Sequence, residues 1–263
     1  MTGIRWWQWF NVLAVDAAVI AVAWQHTLAS GTGEMPGFGA STVLALSVWL
    51  TYTADRLFDV RRKSIHDLLS VRHQFAKTYF LTLWKIWAVI LGLNVAIAIL
   101  FLSRDQLSNG LVLLAGCLIY TFINQKIASR FFPKEFFVAS IFACGAAVFI
   151  ELPLMDTFAL ALLCLLNCLL ISGKEVSIDR ALQIRSLSSD RYRNRSSVLA
   201  ILLMSSSLPL IPTSSGWPIA LSAIGLGIIY LRQDKIHLEK FRVYLDSTLL
   251  VGPSLRLLAA AFE

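Results

Sequence analysis

Nine long apolar runs, at 6–28, 37–59, 79–102, 109–128, 134–152, 155–178, 196–212, 216–231 and 243–262, restrict what this chain can fold into. A helix needs about 17 to 25 residues to cross a bilayer, and the runs reach that range, the seventh and eighth being the shortest. Backbone groups in hydrocarbon must be paired internally, which leaves helices or a closed barrel, and the period-2 alternation of barrel strands is absent. The expected fold class is all-α: a polytopic membrane bundle of about nine transmembrane helices, with residues 1–263 as a single domain. Composition agrees, with 57% hydrophobic and 15% charged residues against about 25% charged in soluble domains. The first run is longer than a signal-peptide core and follows a single cation, Arg5, so no cleavable signal is expected. Cys117, Cys144, Cys164 and Cys168 all lie in apolar runs without metal spacing and read as small buried hydrophobes.

The loops set the orientation, because Lys and Arg are retained on the cytoplasmic side. Loops after the second, fourth, sixth and eighth runs are basic: Arg61, Arg62, Lys63, Arg72 and Lys77; Lys126, Arg130 and Lys134; Lys174 to Arg195; and Arg232 to Arg242. The loops between them are nearly bare, "SRDQLSNG", "ELPLMDT" and "IPTSSGWP" offering only Arg104. The chain therefore threads with its N-terminus inside and its C-terminus outside. The net charge of +7 follows from this alternation and from attraction to anionic membrane lipid, which removes nucleic acid as a partner. The expected location is a bacterial inner (cytoplasmic) membrane.

Two acidic pairs interrupt this pattern. Asp55 and Asp59 in "ADRLFD", and Glu175 and Asp179 in "GKEVSID", are each spaced i,i+4, which puts both members on one helix face. The first line extends back through Thr51 and Ser47 and the second through Ile171 to Asn167, so both predict polar stripes turned to a cavity rather than to lipid. Taken alone, such a pair is a solvated helix end, and Glu175 and Asp179 could pair with Lys174 or Arg180. Two pairs at the cytoplasmic ends of nonadjacent spans favour a site. Four carboxylates without inner-shell His or Cys suit Mg²⁺, which is held by one or two carboxylates plus substrate phosphates. The adjoining cations Arg56, Lys174, Lys126, Arg61, Arg62 and Arg180 complete the description of a diphosphate site. Asp16 and Asp246 are intramembrane acids that could line the cavity or pair internally. Trp6, Trp7 and Trp9 read as an interfacial aromatic belt.

These motifs resemble the UbiA superfamily of intramembrane prenyltransferases, nine-helix bundles with two aspartate-rich motifs. The first family motif, NDxxDxxxD, aligns with "TYTADRLFD": Asp55 and Asp59 match, Arg56 takes a place often cationic, and Thr51 and Tyr52 replace the leading Asn and Asp. The second aligns with "KEVSID", matching Lys174, Glu175 and Asp179 with one Asp-to-Glu change, and "IYTFINQK" resembles a stretch that would give Tyr120 and Lys126 phosphate-contacting roles. The resemblance implies Mg²⁺ on Asp55, Asp59, Glu175 and Asp179, diphosphate on Arg56, Lys126, Lys174 and Tyr120, and a cavity lined by Thr51, Tyr52, Asn167 and Asp16. It implies transfer of a prenyl group from an isoprenoid diphosphate to an aromatic or lipid acceptor. A terpene cyclase of the same superfamily begins with the same ionisation and is the alternative. A transporter or noncatalytic lipid binder ranks below both, since no inverted repeat and no pair of Gly- or Pro-broken spans at matching positions is evident.

Overall fold

The structure, a computed structural model, describes residues 4–31, 35–127, 134–151, 154–181 and 215–260, and for 124–127, 179–181 and 260 the backbone alone. All regular structure among these residues is helical: α1 (Trp9–Val12), α2 (Val15–Ala29), α3 (Phe38–Val60), α4 (Val71–Thr78), α5 (Phe80–Phe101), α6 (Arg104–Ile127), α7 (Lys134–Ala147), α8 (Leu154–Lys174), α9 (Val176–Ala181), α10 (Gly216–Leu231), α11 (Leu238–Thr248) and α12 (Val251–Ala260). Three helices, α5, α8 and the Arg104–Ile123 part of α6, are long and apolar enough to cross a bilayer. The first apolar run makes a fourth if its two pieces count as one span. The seventh run, 196–212, lies outside the described residues.

Two of the expected spans are broken. The first bends by 72° between Val12 and Val15, where Ala14 takes a left-handed backbone with φ 57°. A break at membrane depth frees carbonyls that need donors, and α3 supplies them. Trp49 Nε1 donates to Leu13 O at 2.8 Å, and Arg56 Nη1 to Val12 O at 2.8 Å. The ninth run divides into α11 and α12 because Pro253, in a continuous helix, would lose a backbone bond and press its ring on the carbonyl of Leu249. Placed in the first turn of α12, it does neither.

The core lies between α2, α7, α8, α10 and α11, around Trp24, Leu28, Leu160, Leu163, Ile219, Leu226, Phe241 and Leu245. Ala139, Ala143 and Ala146 form a buried small-residue face on α7, which packs closely on α8. On the other side α3 packs against α5, where Asn94 Nδ2 donates to Ser47 Oγ at 2.9 Å and Trp87 Nε1 to Leu50 O at 2.9 Å. The basic loop after α3 is not a simple connection. It turns through Ile65–Asp67 and folds back as α4, whose first backbone N–H (Val71) donates to Glu239 Oε1 of α11 at 3.2 Å. Lys77 closes the turn by donating to the C-terminal carbonyls Val60 O and Arg61 O of α3.

Candidate active site

The folded-back α4 and the two broken helices enclose one cavity of about 210 Å³. Its walls bring together, from α3, Tyr52, Asp55, Arg56 and Asp59; from α6, Tyr120; from α8, Asn167; and, just past α8, Glu175. Asp16 of α2 and Asp246 of α11 line it as well. These nine residues, all singled out in the sequence, therefore line a common space.

The stripe predicted on α3 does not hold along its length. Each i,i+4 step advances an α-helix by about 40° beyond a full turn, so three steps carry the line from Asp59 some 120° around to Ser47. Thr51 is exposed, bonds Ser47 O at 2.9 Å, and does not line the cavity. Ser47 is taken up by Asn94 in packing. The cavity face runs instead through Tyr52, Asp55, Arg56 and Asp59. Lys174 also points elsewhere, donating from Nζ to Gln233 O at 2.7 Å and sitting 5.7 Å from the centre of the Phe241 ring. The side chains of Lys126 and Asp179 lie outside those described. Of the cysteines, Cys164 and Cys168 line the cavity wall and Cys144 is exposed.

Glu175 is not presented bare. Arg72 of α4 donates to it through Nη2 (2.9 Å to Oε2) and Nη1 (3.4 Å to Oε1), and Arg242 of α11 donates from Nη1 at 3.2 and 3.1 Å. The carboxylate thus clamps two guanidinium groups in place, with Arg72, rather than Lys174 at its side, as the closest cation among the described residues. Beside it, His73 exchanges a hydrogen bond with Ser70 Oγ (2.6 Å) and sits 3.9 Å from Asp59 Oδ2. Burial first, then the positive charge of Arg72, Arg56 and Lys134, holds the imidazole well below its ordinary value, so it faces the cavity neutral. Lys134 and Glu135, at the start of α7, complete this end. Tyr120 stacks on Phe137, the ring centres 6.2 Å apart.

The sequence motifs give Arg72, His73, Lys134, Glu135 and Arg242 no site role. A basic residue in a cytoplasmic loop already has a reason to be there. The signal for Arg72 is local: Ser70 stands as the helix N-cap residue directly before α4, which places Arg72 in its first turn.

Chemically, this end can take a polyanion with a cation between it and the acids. Among the described residues no three or more His, Cys, Asp or Glu form a ready-made metal cage. Asp55 and Asp59, one turn apart on the cavity wall, are the carboxylates that could hold a metal whose remaining ligands were substrate oxygens.

No family model matches the sequence, and no curated protein sequence matches it. Among solved structures, the apo structure of a UbiA homolog from Aeropyrum pernix K1 superposes with a TM-score of 0.65, over 92% of this chain and 98% of that one, at 13% identity. The chain has the UbiA fold. The outward-facing apolar surfaces of α5 and α6 agree with an integral membrane protein built on the UbiA fold.

Proposed function

We propose that this UbiA-fold protein is a Mg²⁺-dependent prenyltransferase, formed as a single domain of nine spans with the N-terminus and the mouth of the site on the cytoplasmic side. It takes an isoprenoid diphosphate and passes the prenyl group to an aromatic or lipid acceptor. The observation that carries the reading is that Asp55 and Asp59 share one cavity with Arg56, Arg72, Lys134 and Tyr120 in a chain of this fold.

Asp55 and Asp59 would hold the metal, which when bound neutralises charge on the departing diphosphate. Arg56, Arg72 and Lys134 bind the diphosphate oxygens, and their positive charge stabilises the negative charge that grows as the C–O bond lengthens. Glu175 keeps Arg72 and Arg242 oriented for this. Ile20, Val138, Phe142 and Leu249 line the cavity with hydrocarbon for the isoprenoid chain and exclude water from the allylic carbon.

The test is diphosphate release from geranyl, farnesyl or geranylgeranyl diphosphate by the full chain in nanodiscs. Release that requires Mg²⁺ and an added acceptor supports the reading. Release with a cyclic hydrocarbon and no acceptor reassigns the protein as a cyclase, and no release under any condition removes the enzymatic reading.

A further inference from the structure

The cavity has a second polar end that diphosphate binding does not use. Asp16 lies in the first turn of α2, two residues after the left-handed Ala14, and Asp246 stands shortly before the break between α11 and α12. Asn11 Nδ2 bridges the two acids, donating to Asp16 Oδ2 at 2.7 Å and to Asp246 Oδ2 at 3.3 Å. On the far wall Asn167 Nδ2 donates to Asp246 Oδ1 at 3.2 Å. Asn167 is only 7% exposed and lines the cavity, yet its Oδ1 has no hydrogen-bond partner among the described residues. Turning the amide over would set that oxygen against the Asp246 carboxylate, so this orientation is the favourable one. A buried acceptor is seldom left unmatched, and Asn167 lines the cavity from which a ligand would reach it. The buried Nε of Arg242, 3.7 Å from Asp246 Oδ2, is likewise without a hydrogen-bond partner among the described residues, so this end offers a ligand one acceptor and one donor.

We infer that Asn11, Asp16, Asn167 and Asp246 form the acceptor subsite, and that the acceptor presents a neutral hydroxyl group to it. The inference rests on the prenyl-transfer reading and names the acceptor that reading leaves open. A carboxylate-bearing acceptor would bring a further negative charge beside two acids, and the neighbouring cation, Arg242, already has its charge shared between Glu175, bonded through Nη1, and Asp246, whose Oδ2 is 3.7 Å from its Nε. An ammonium group would be held but has no lone pair to attack with. A hydroxyl donates its one hydrogen to an acid or to the orphaned carbonyl while keeping a lone pair. Asp246 lies four residues from Arg242, about 6 Å of helix rise, so the hydroxyl sits roughly one turn from the diphosphate cations. In the reaction the C1–O bond of the allylic diphosphate breaks with its electron pair leaving on diphosphate. The acceptor oxygen forms the new C1–O bond, and its proton passes to the Asp16–Asp246 pair. The products are an ether and diphosphate.

The test uses the full chain in nanodiscs with Mg²⁺, geranylgeranyl diphosphate and four probes: 1-naphthol, a monoacylglycerol, 1-methoxynaphthalene and 6-hydroxy-2-naphthoate. Ether formation with 1-naphthol or the monoacylglycerol is expected, and which of them reacts tells an aromatic hydroxyl from a lipid one. The methoxy and carboxylate probes are expected to be inert. Asp16→Asn and the nearly isosteric Asn167→Leu should each raise the KM for the reactive probe at least tenfold, while binding of inorganic diphosphate, read by calorimetry, stays within twofold. Turnover of the methoxy probe, equal turnover of the carboxylate probe, unchanged KM in both variants, or a parallel loss of diphosphate binding in both would each overturn the subsite. Wild-type protein that binds no inorganic diphosphate would overturn the prenyl-transfer reading and the subsite with it.

Discussion

Glu175 shows how one side chain sets the character of the phosphate end. Two guanidinium groups from different helices converge on its carboxylate within 3.4 Å. Removing it leaves two positive charges facing each other in a largely buried site, and breaking such an arrangement from one side costs about 3–5 kcal/mol. Glu175→Ala is therefore expected to lower the thermal midpoint in detergent sharply, and inorganic diphosphate should restore more of that loss than it adds to wild type, since the anion takes the carboxylate's place. Equal stabilisation of both proteins would show that the arginines do not meet diphosphate. Asp55 makes the complementary case. Asp55→Asn deletes a negative charge and no packing, so turnover should fall by about 10²–10³-fold, the range for losing one electrostatic contributor to a transition state, with the melting midpoint retained. Full activity would take Asp55 out of the site. The acids of this site are legible in the sequence because a carboxylate in an apolar run has few bland explanations. Arg72 and Arg242 are not, because a cation in a cytoplasmic loop is already explained by topology, and only the fold-back of α4 turns Arg72 and the neighbouring His73 into cavity walls.

At the scale of elements, helical structure and its approximate limits can be read from the apolar runs, α3, α5 and α10 falling within a residue of the expected 37–59, 79–102 and 216–231. The breaks cannot be read that way. Nothing in "NVLAVDA" stops a helix, and the bend at Ala14 exists because Trp49 and Arg56, some 40 residues away, satisfy the carbonyls it frees. The Pro253 break does carry a signal, in the Gly252–Pro253 pair. Gly252 has a further duty there: a Cβ at this position would overlap the backbone carbonyl of Pro218 in α10, and its N–H donates to Ser222 Oγ at 3.2 Å. A backbone atom cannot rotate away, so Gly252→Ala should push α12 off α10 and cost about 1–3 kcal/mol, seen as a lower thermal midpoint. The same change at Gly92, whose Cβ position is open, should be neutral or slightly stabilising because Ala favours helix. Equal effects at the two sites would mean that α12 does not seat against α10 this closely.

At the scale of the molecule, the UbiA fold divides its helices between two environments. α2, α8, α10 and α11 bury their faces in one another and around the cavity, whereas α5 and α6 leave Leu81, Val89, Ile99, Leu111, Val112, Leu118 and Phe122 largely exposed. In water an apolar surface of that extent would be a strong association site; in a bilayer it is the ordinary boundary with lipid. The two environments give opposite expectations for a single substitution. Val89 lies near the middle of α5 and is 72% exposed. On a water-facing surface Val89→Lys would change stability by no more than about 0.5 kcal/mol. Facing the centre of a bilayer it should cost about 2.5–3.5 kcal/mol of insertion free energy, a fall of roughly 60- to 300-fold in the inserted-to-uninserted ratio of the α5 segment at 1.4 kcal/mol per tenfold. The ratio can be read with glycosylation tags flanking α5 in a microsomal insertion assay, with Val89→Leu as the control that keeps insertion. An inserted fraction unchanged by lysine would mean that α5 meets water or another protein surface at Val89, and the outer boundary of the bundle would have to be redrawn around it.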